Sequence, residues 1–451
     1  MKKKALLAVL LAMTLLLSSC ALIVKDKEVD AKTVILKMGD KEITKAEVQK
    51  AVDDKLYEMY QTYANYYGTQ IDTTSPEVIA EAQSQAIKAL KQDMVLRAKA
   101  AELGFDQLTE EETAKAKEDA QSDLEFAKSM IQSSYLTEEQ KALEGEELEK
   151  AIQEKLDEFG VKIEDYEKAA VDTIVDDKLR EYAIKDVTVS DDQVKADYDS
   201  KVAADEETYK ENASSWASSA NNGTTLYYTP AGIRRVKQIL IKFKADDQTA
   251  VSDANSQVTA ATNKVNAAQQ IIDDEAASEE DKTKAQEDLT AAQTELEAAN
   301  KALNDATDAA YANIDADADA VLEQLKADPD SWDKLVEEKN EDPGMKAGAT
   351  NAEKGYAVCE GMTSFDSAFV EAAMALKNVG DVSDKTRGAS GGYYIIKYVG
   401  DDTEGPVDYD SVKEKIHSTL LTSLQNETYT ATVEQWVEAA GIKEDLNALK
   451  D

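Results

Sequence analysis

Few residues in this chain are equipped for chemistry. His417 is the single histidine, and Cys20 and Cys359 are the two cysteines, among 451 residues. A multi-histidine metal site is therefore excluded, and a Ser-His-Asp arrangement would have to use that one ring. Neither a disulfide framework nor a four-cysteine zinc site can be built. His417 falls in the helical pattern near the C-terminus, away from any motif, and Cys359 reads as a small, part-buried apolar residue. No metal and no cofactor is expected. Asp342, just before Pro343, and Phe365 and Phe369, four residues apart, are not marked for chemistry by their spacing alone. Taken singly, turn chemistry accounts for Asp342 and core packing for the phenylalanines equally well.

Charge narrows the partners. Lys plus Arg number 51 against 91 Asp plus Glu, a net charge of −40. Such a chain repels phosphate backbones, so nucleic acid is not an expected ligand. The first residues set the compartment. Met1 to Lys4 is basic, and Ala5 to Leu17 is apolar apart from Thr14. That core is too short to span a bilayer, which takes about 20 residues, but it suits a secretory leader. The leader ends Leu17-Ser18-Ser19-Cys20, which resembles the bacterial lipobox. The resemblance implies cleavage before Cys20 and lipid on its sulfur, holding the protein on the extracytoplasmic face of a bacterial membrane.

The elements that must position these residues follow from punctuation. No proline occurs between residues 77 and 229, whereas ten of the 18 glycines fall between Gly344 and Gly405. The first region reads as helical and the second as mixed and turn-rich. Val34 to Leu36 followed by Gly39-Asp40 reads as strand and turn. Capping-box pairs Thr44/Glu47, Thr109/Glu112, Thr137/Gln140 and Ser190/Gln193 start helices, and Ser75-Pro76 starts another. Gly68, Gly104 and Gly160 stop them. These signals predict helices over 44–67, 76–103, 109–134, 137–158, 163–185 and 190–210. The stretch 211–232 is polar and aperiodic and reads as a linker. Arg234 to Phe243 is a β-type run. From Val251 to Ile272 and from Ala285 to Ala310, apolar residues recur at alternating three and four spacing, with alanine at every second seam position. This is a heptad seam on two helices that fold back as an antiparallel hairpin. Helical stretches 320–326 and 332–338, a short run at Val358, a helix from Phe365 to Leu376, a strand from Tyr393 to Val399 and a helical tail complete the pattern.

Five pieces in order resemble a parvulin-type peptidyl-prolyl isomerase. They are RRVKQILIKF, DSWDKLVEEKNEDPG, AEKGYAV, FDSAFVEAAMALKNVGDVS and GYYIIK, lying within 233–245 and 310–400. The helical flanks, with VILKMGDKEITKAEV and the tail 407–451, resemble PrsA-type foldase lipoproteins and SurA-type chaperones. The fold implied is α+β and mostly helical: a helical chaperone lobe plus a parvulin-like (FKBP-like) domain interrupted by the hairpin. The division runs as a leader over 1–19, a tether over 20–32, the lobe over 33–210 plus 406–451, a linker over 211–232, the parvulin-like domain over 233–247 plus 310–405, and the hairpin over 248–309.

Carried over position by position, the family's acid is Asp342 and its aromatic floor Phe365 and Phe369. Its two histidines become Gln238 and Tyr394. A leucine of its slot becomes Lys354, and a hydroxyl residue before the last strand becomes Ala389. The resemblance implies a foldase for secreted chains whose prolyl isomerase site is degenerate, with activity weak or lost. Its partners would be unfolded or partly folded secreted polypeptides and, through Cys20, the membrane; a homodimer is left open. The rival reading is a non-catalytic structural or adhesion lipoprotein that binds a partner through its coiled coil.

Overall fold

The computed structural model describes residues 27–389 and 391–449. The leader and Cys20 lie outside them. The chain divides into two compact units, Met1–Val189 with Ser418–Asp451, and Ser190–His417.

The first unit opens with a short helix, α1 (Lys27–Ala31), and a two-stranded hairpin, β1 (Val34–Met38) and β2 (Lys41–Thr44), turned at Gly39 (φ 59°). A segment from the far end of the chain, Lys443–Glu444, pairs with the free edge of β1, Leu36 opposite Glu444. Thr44 ends β2 and caps α2 (Lys45–Thr62): its hydroxyl accepts from the Glu47 N–H, and the Glu47 carboxylate accepts from the Thr44 N–H at 2.8 Å. The expected helix over 44–67 is thus α-helical to Thr62 and then widens into a π-helical turn, Tyr63–Tyr67.

α3 (Pro76–Leu103) and α4 (Glu110–Ser134) begin and end where proline, glycine and the Thr109/Glu112 box place them. The expected helix over 137–158 is instead two, α5 (Glu138–Lys141) and α6 (Gly145–Glu158). Gly145 sits at φ 56°, a conformation an α-helix interior cannot hold, and Leu143 turns in to pack on the α4–α6 core. α7 (Ile163–Ile184) closes the layer. Ile131, Leu156 and Tyr166 form one core and Ile35, Leu36, Val48, Val52 and Met94 another. Arg97 on α3 is paired with Asp172 and Asp176 on α7.

The second unit begins with α8 (Asp191–Tyr209) and α9 (Ala213–Asn221). α9 replaces the expected linker. Nine residues are too few to show a helical period, yet Trp216 is buried and its indole N–H donates to the Tyr228 carbonyl at 2.6 Å. Next come β3 (Tyr228–Thr229) and β4 (Arg234–Lys242), then α10 (Ala245–Asp273) and α11 (Glu279–Ala327), α12 (Trp332–Lys339), β5 (Tyr356–Val358), α13 (Ser367–Ala375), β6 (Thr386–Gly388), β7 (Gly392–Asp401) and β8 (Gly405–Pro406). The long helix α14 (Tyr409–Ala439) leads back to the first unit, whose last strand, β9, is Lys443–Glu444. Four strands form one antiparallel sheet in the order β5-β4-β7-β6, and β3 pairs with β8.

α10 and α11 pack as the antiparallel hairpin, burying Ala254, Ala261 and Ala268 against Ala285, Ala292 and Ala299. Small residues at these positions let the backbones approach closely, and Lys264 and Glu295 pair across the seam at 2.7 Å. The second arm does not stop near residue 309. It continues unbroken to Ala327, because Ala310, Tyr311, Ile314, Ala318, Val321 and Leu325 take over the apolar stripe and bury it on the sheet. The short helix expected over 320–326 is the end of this one. Among the described residues no helix is long and apolar enough to cross a membrane.

Candidate functional site

Alternation along the two central strands sorts their side chains. Ile239 and Ile241 on β4, Phe243 just past its end, and Tyr393 and Ile395 on β7 pack with α11 and α12. The opposite face carries Val236, Leu240, Tyr394 and Ile396 and packs with α13. Gln238 shares the parity of Val236 and Leu240, and it stands across from Ile396 while Leu240 stands across from Tyr394. Two antiparallel strands therefore bring Gln238 and Tyr394 to one face.

α13 roofs that face. Asp366 caps it, accepting from the Ala368 N–H at 3.0 Å. The helix expected from Phe365 begins at Ser367, so Phe365 stands just before the cap; it meets Phe369 edge to face at 5.5 Å, and Phe369 meets Tyr394 at 5.4 Å. Tyr394 lies over Gly388, where a Cβ would stand 2.4 Å from the ring. The Tyr394 hydroxyl reaches Asp366 at 3.4 Å, and the same carboxylate accepts from the Ala389 N–H at 2.5 Å.

Asp342 arrives on the turn after α12. Asn340 splices this turn to the sheet: its side-chain oxygen accepts from the Leu240 N–H (2.9 Å) and the Asp342 N–H (3.1 Å). The buried Asp342 carboxylate accepts from Gln238 Nε2 at 2.7 Å, the Tyr356 hydroxyl at 2.9 Å and the Gly344 N–H at 2.9 Å. A carboxylate only accepts, so the Gln238 amide must present its NH2 group here. Its oxygen is left buried with no partner. Gly344 is required by sterics, since a Cβ would stand 1.8 Å from the Tyr356 hydroxyl.

Tyr356 joins the two halves. Its ring packs on Phe365 at 5.1 Å while its hydroxyl holds Asp342. Burial first, and then the Asp342 charge, push its ionisation well above the ordinary tyrosine range, so it remains a donor at any physiological pH. All five residues proposed from sequence, Gln238, Asp342, Phe365, Phe369 and Tyr394, lie in this one cluster. Tyr356, Asn340 and Asp366 were not singled out. Tyr356 had a signal, since it stands within the AEKGYAV piece. Lys354 is exposed and does not enter the cluster. Cys359 is buried nearby, its thiol pushed up by burial, and is packing. His417 lies on α14.

The chemistry available is non-covalent. Asp342 is committed to three donors and Asp366 to the Ala368 and Ala389 N–H groups and the Tyr394 hydroxyl, and the rings form an apolar wall between them. Gln238, Asp342, Phe369 and Tyr394 are buried, and Tyr356 and Phe365 are the half-buried members that face outward.

A four-stranded antiparallel sheet covered by helices on both faces, with an acid and an aromatic wall under α13, is the arrangement that the sequence's resemblance to parvulins implies. With its hairpin insertion and the helical lobe, the chain is α+β and mostly helical.

No protein-family model matches the chain. Among curated proteins it is 36% identical over 129 residues to the foldase protein PrsA of Clostridium botulinum strain Hall, covering 28% of this chain and 36% of that protein. The same-named protein of strain Loch Maree is 33% identical over 128 residues, covering 28% and 36%. The chain thus matches about a third of the length of these relatives, and over that stretch it is similar to PrsA-type foldases. Solved structures that overlay on it include a SurA-like chaperone of Campylobacter jejuni (14% identity, 91% of this chain and 100% of that one, TM-score 0.24). A second is foldase protein PrsA from Streptococcus pneumoniae (13% identity, 92% and 97%, TM-score 0.25). Overlays this loose transfer nothing residue by residue.

Proposed function

We propose that this chain is an extracytoplasmic foldase, anchored by lipid on Cys20, that holds unfolded secreted polypeptides and carries a parvulin-type prolyl isomerase domain with a degenerate site. The observation that carries the reading is the cluster of Gln238, Asp342, Tyr356, Phe365, Phe369 and Tyr394 on one sheet face, in a chain partly similar to PrsA foldases. The barrier to X–Pro rotation, about 18–20 kcal/mol, comes from amide resonance, and twisting the amide requires no bond to form or break. Phe365, Phe369 and Tyr394 would hold the proline ring and shed water from the amide. Asp342 would act as a fixed charge and Tyr356 as its clamp.

The departures set the rate. Gln238 and Tyr394 keep hydrogen-bonding capacity but not the geometry of two facing imidazoles, so turnover would fall far below that of a full parvulin site. The exposure of Lys354 removes one obstacle, since its ammonium stays in water.

The test uses the mature chain from Cys20 onward. It should suppress aggregation of an unrelated unfolded protein at near-stoichiometric ratio, and a protease-coupled assay should read slow prolyl isomerisation. A chain that leaves aggregation unchanged would sink the foldase reading and favour the adhesion alternative.

A further inference from the structure

The end of α2 carries an exposed run of tyrosines. Five of the chain's 19 tyrosines fall between Tyr57 and Tyr67. There the helix widens into the π-helical turn Tyr63–Tyr67 and closes on Gly68, at φ 62°, and no residue of the turn is buried. Tyr63, Tyr66 and Tyr67 are 43%, 66% and 69% exposed, and the rings of Tyr63 and Tyr67 stand 5.3 Å apart. The turn is braced from within: Gln61 donates to the Tyr57 hydroxyl at 3.0 Å, and Gln70 to the Tyr60 hydroxyl at 3.3 Å. From Met59 to Ile71 no residue is charged, in a chain with 91 acidic and 51 basic residues. The borders carry net acid: Asp53, Asp54 and Glu58, the last paired with Lys55, precede the run, and Asp72 and Glu77 follow it.

We propose that this tyrosine-rich turn is a docking surface for extended polypeptide of neutral to basic charge, an inference that rests on the foldase reading. Three features select that occupant. Tyrosine supplies broad, rigid, apolar area at low entropic cost, and interleaved Asn, Gln, Thr and Gly supply adaptable hydrogen bonds, a composition suited to gripping many sequences. An unfolded chain offers an unpaired N–H and C=O at nearly every residue, which tyrosine hydroxyls and side-chain amides can satisfy, whereas a folded partner has already paired most of its own. The bare backbone is neutral, matching the uncharged run. The acidic border then repels acidic segments and attracts Lys and Arg, whose cations also sit well over phenol faces.

The experiment compares the mature full chain with Tyr66→Ser/Tyr67→Ser and Tyr66→Phe/Tyr67→Phe. The probes are two labelled unstructured peptides of equal apolar content, one bearing Lys and Arg and one bearing Asp and Glu, plus a neutral oligosaccharide, followed by anisotropy. The basic peptide should bind the wild type and lose about tenfold in affinity to the Ser variant at an unchanged thermal transition, while the Phe variant keeps most of it. The acidic peptide should bind weakly throughout. On the unmutated chain, bound basic peptide should protect Tyr66 and Tyr67 from nitration. Equal affinity of wild type and Ser variant, equal binding of both peptides, absence of protection, or oligosaccharide binding lost in the Ser variant would each overturn the proposal. A Ser variant that suppresses aggregation as well as the wild type refutes the patch and spares the foldase reading. A wild type that grips the basic peptide through these tyrosines yet suppresses nothing supports the patch and refutes the foldase reading.

Discussion

Asp342 is the residue on which the candidate site turns, because three donors converge on its carboxylate. Asp342→Ala would strand the Gln238 NH2 group and the Tyr356 hydroxyl, each at a cost of about 1–3 kcal/mol. Urea denaturation should therefore show a loss of about 2–4 kcal/mol in the unit that holds the sheet, and Tyr356→Phe a loss of about 1 kcal/mol. Tyr356 also makes an alkaline prediction. Its ionisation is raised in the folded state, so the protonated form is favoured by folding. That contribution is whole below the unfolded tyrosine pKa of about 10 and is lost as pH rises above it. A spectrophotometric titration should find a phenol that resists ionisation until the domain opens, and Tyr356→Phe should remove that phenol and blunt the alkaline fall in stability. The site's rate is open to rescue as well. Gln238→His with Tyr394→His should raise kcat/KM in the protease-coupled assay, since an imidazole at 238 still reaches Asp342. An unmodified chain as fast as a full parvulin would show that the histidines matter less than the aromatic wall.

Among the elements, α11 decides how the insertion behaves. Its outer half is seam and its inner half is core: Ala292 and Ala299 meet α10, while Ile314, Val321 and Leu325 lie under the sheet. The first turns of α10 are tied to the same core, with Gln248 donating to the Phe243 carbonyl at 2.7 Å and Asn313 to Asp247 at 3.0 Å. Replacing 254–306 with a short Gly/Ser link should keep a cooperative thermal transition, whereas a deletion running through Ile314 should abolish it. Ala261→Glu with Ala292→Glu puts charge into the buried seam. Helical signal should fall by circular dichroism while the sheet unit still melts as one. Loss of that melt in the seam variant would mean that the arm is part of the core.

At the scale of the whole molecule, the proposed foldase role is tested through the chain's charge and through the leader read at residues 1–19. Under the proposed role, a net charge of −40 would favour basic over acidic clients at low ionic strength. Raising salt from about 0.01 to 0.15 M shortens the Debye length from about 30 to 8 Å, so suppression of aggregation should weaken for a basic client and change little for a neutral one. Cys20→Ser should release the protein from membranes or block its maturation, read by fractionation; unchanged membrane recovery would count against the lipid anchor.

Local rules sufficed for much of this chain. Proline and glycine mark both ends of α3, and capping boxes mark the starts of α2, α4 and α8, because each acts through the four unpaired amides or carbonyls of a single helix end. The alanine seam announces the hairpin because a three-four spacing has one helical solution. The ordered pieces from RRVKQILIKF to GYYIIK select the candidate residues, though only as positions. Long-range packing settled the rest. α9 exists because Trp216 finds the Tyr228 carbonyl, and α11 runs unbroken because the sheet covers its inner half. Tyr356 matters because its ring and its hydroxyl touch two different parts of the site, Phe365 and Asp342. A residue's type and its near neighbours determine its helix end or its strand face. Which distant carboxylate its hydroxyl meets depends on how strands far apart in the chain pair, and only the tertiary structure decides that.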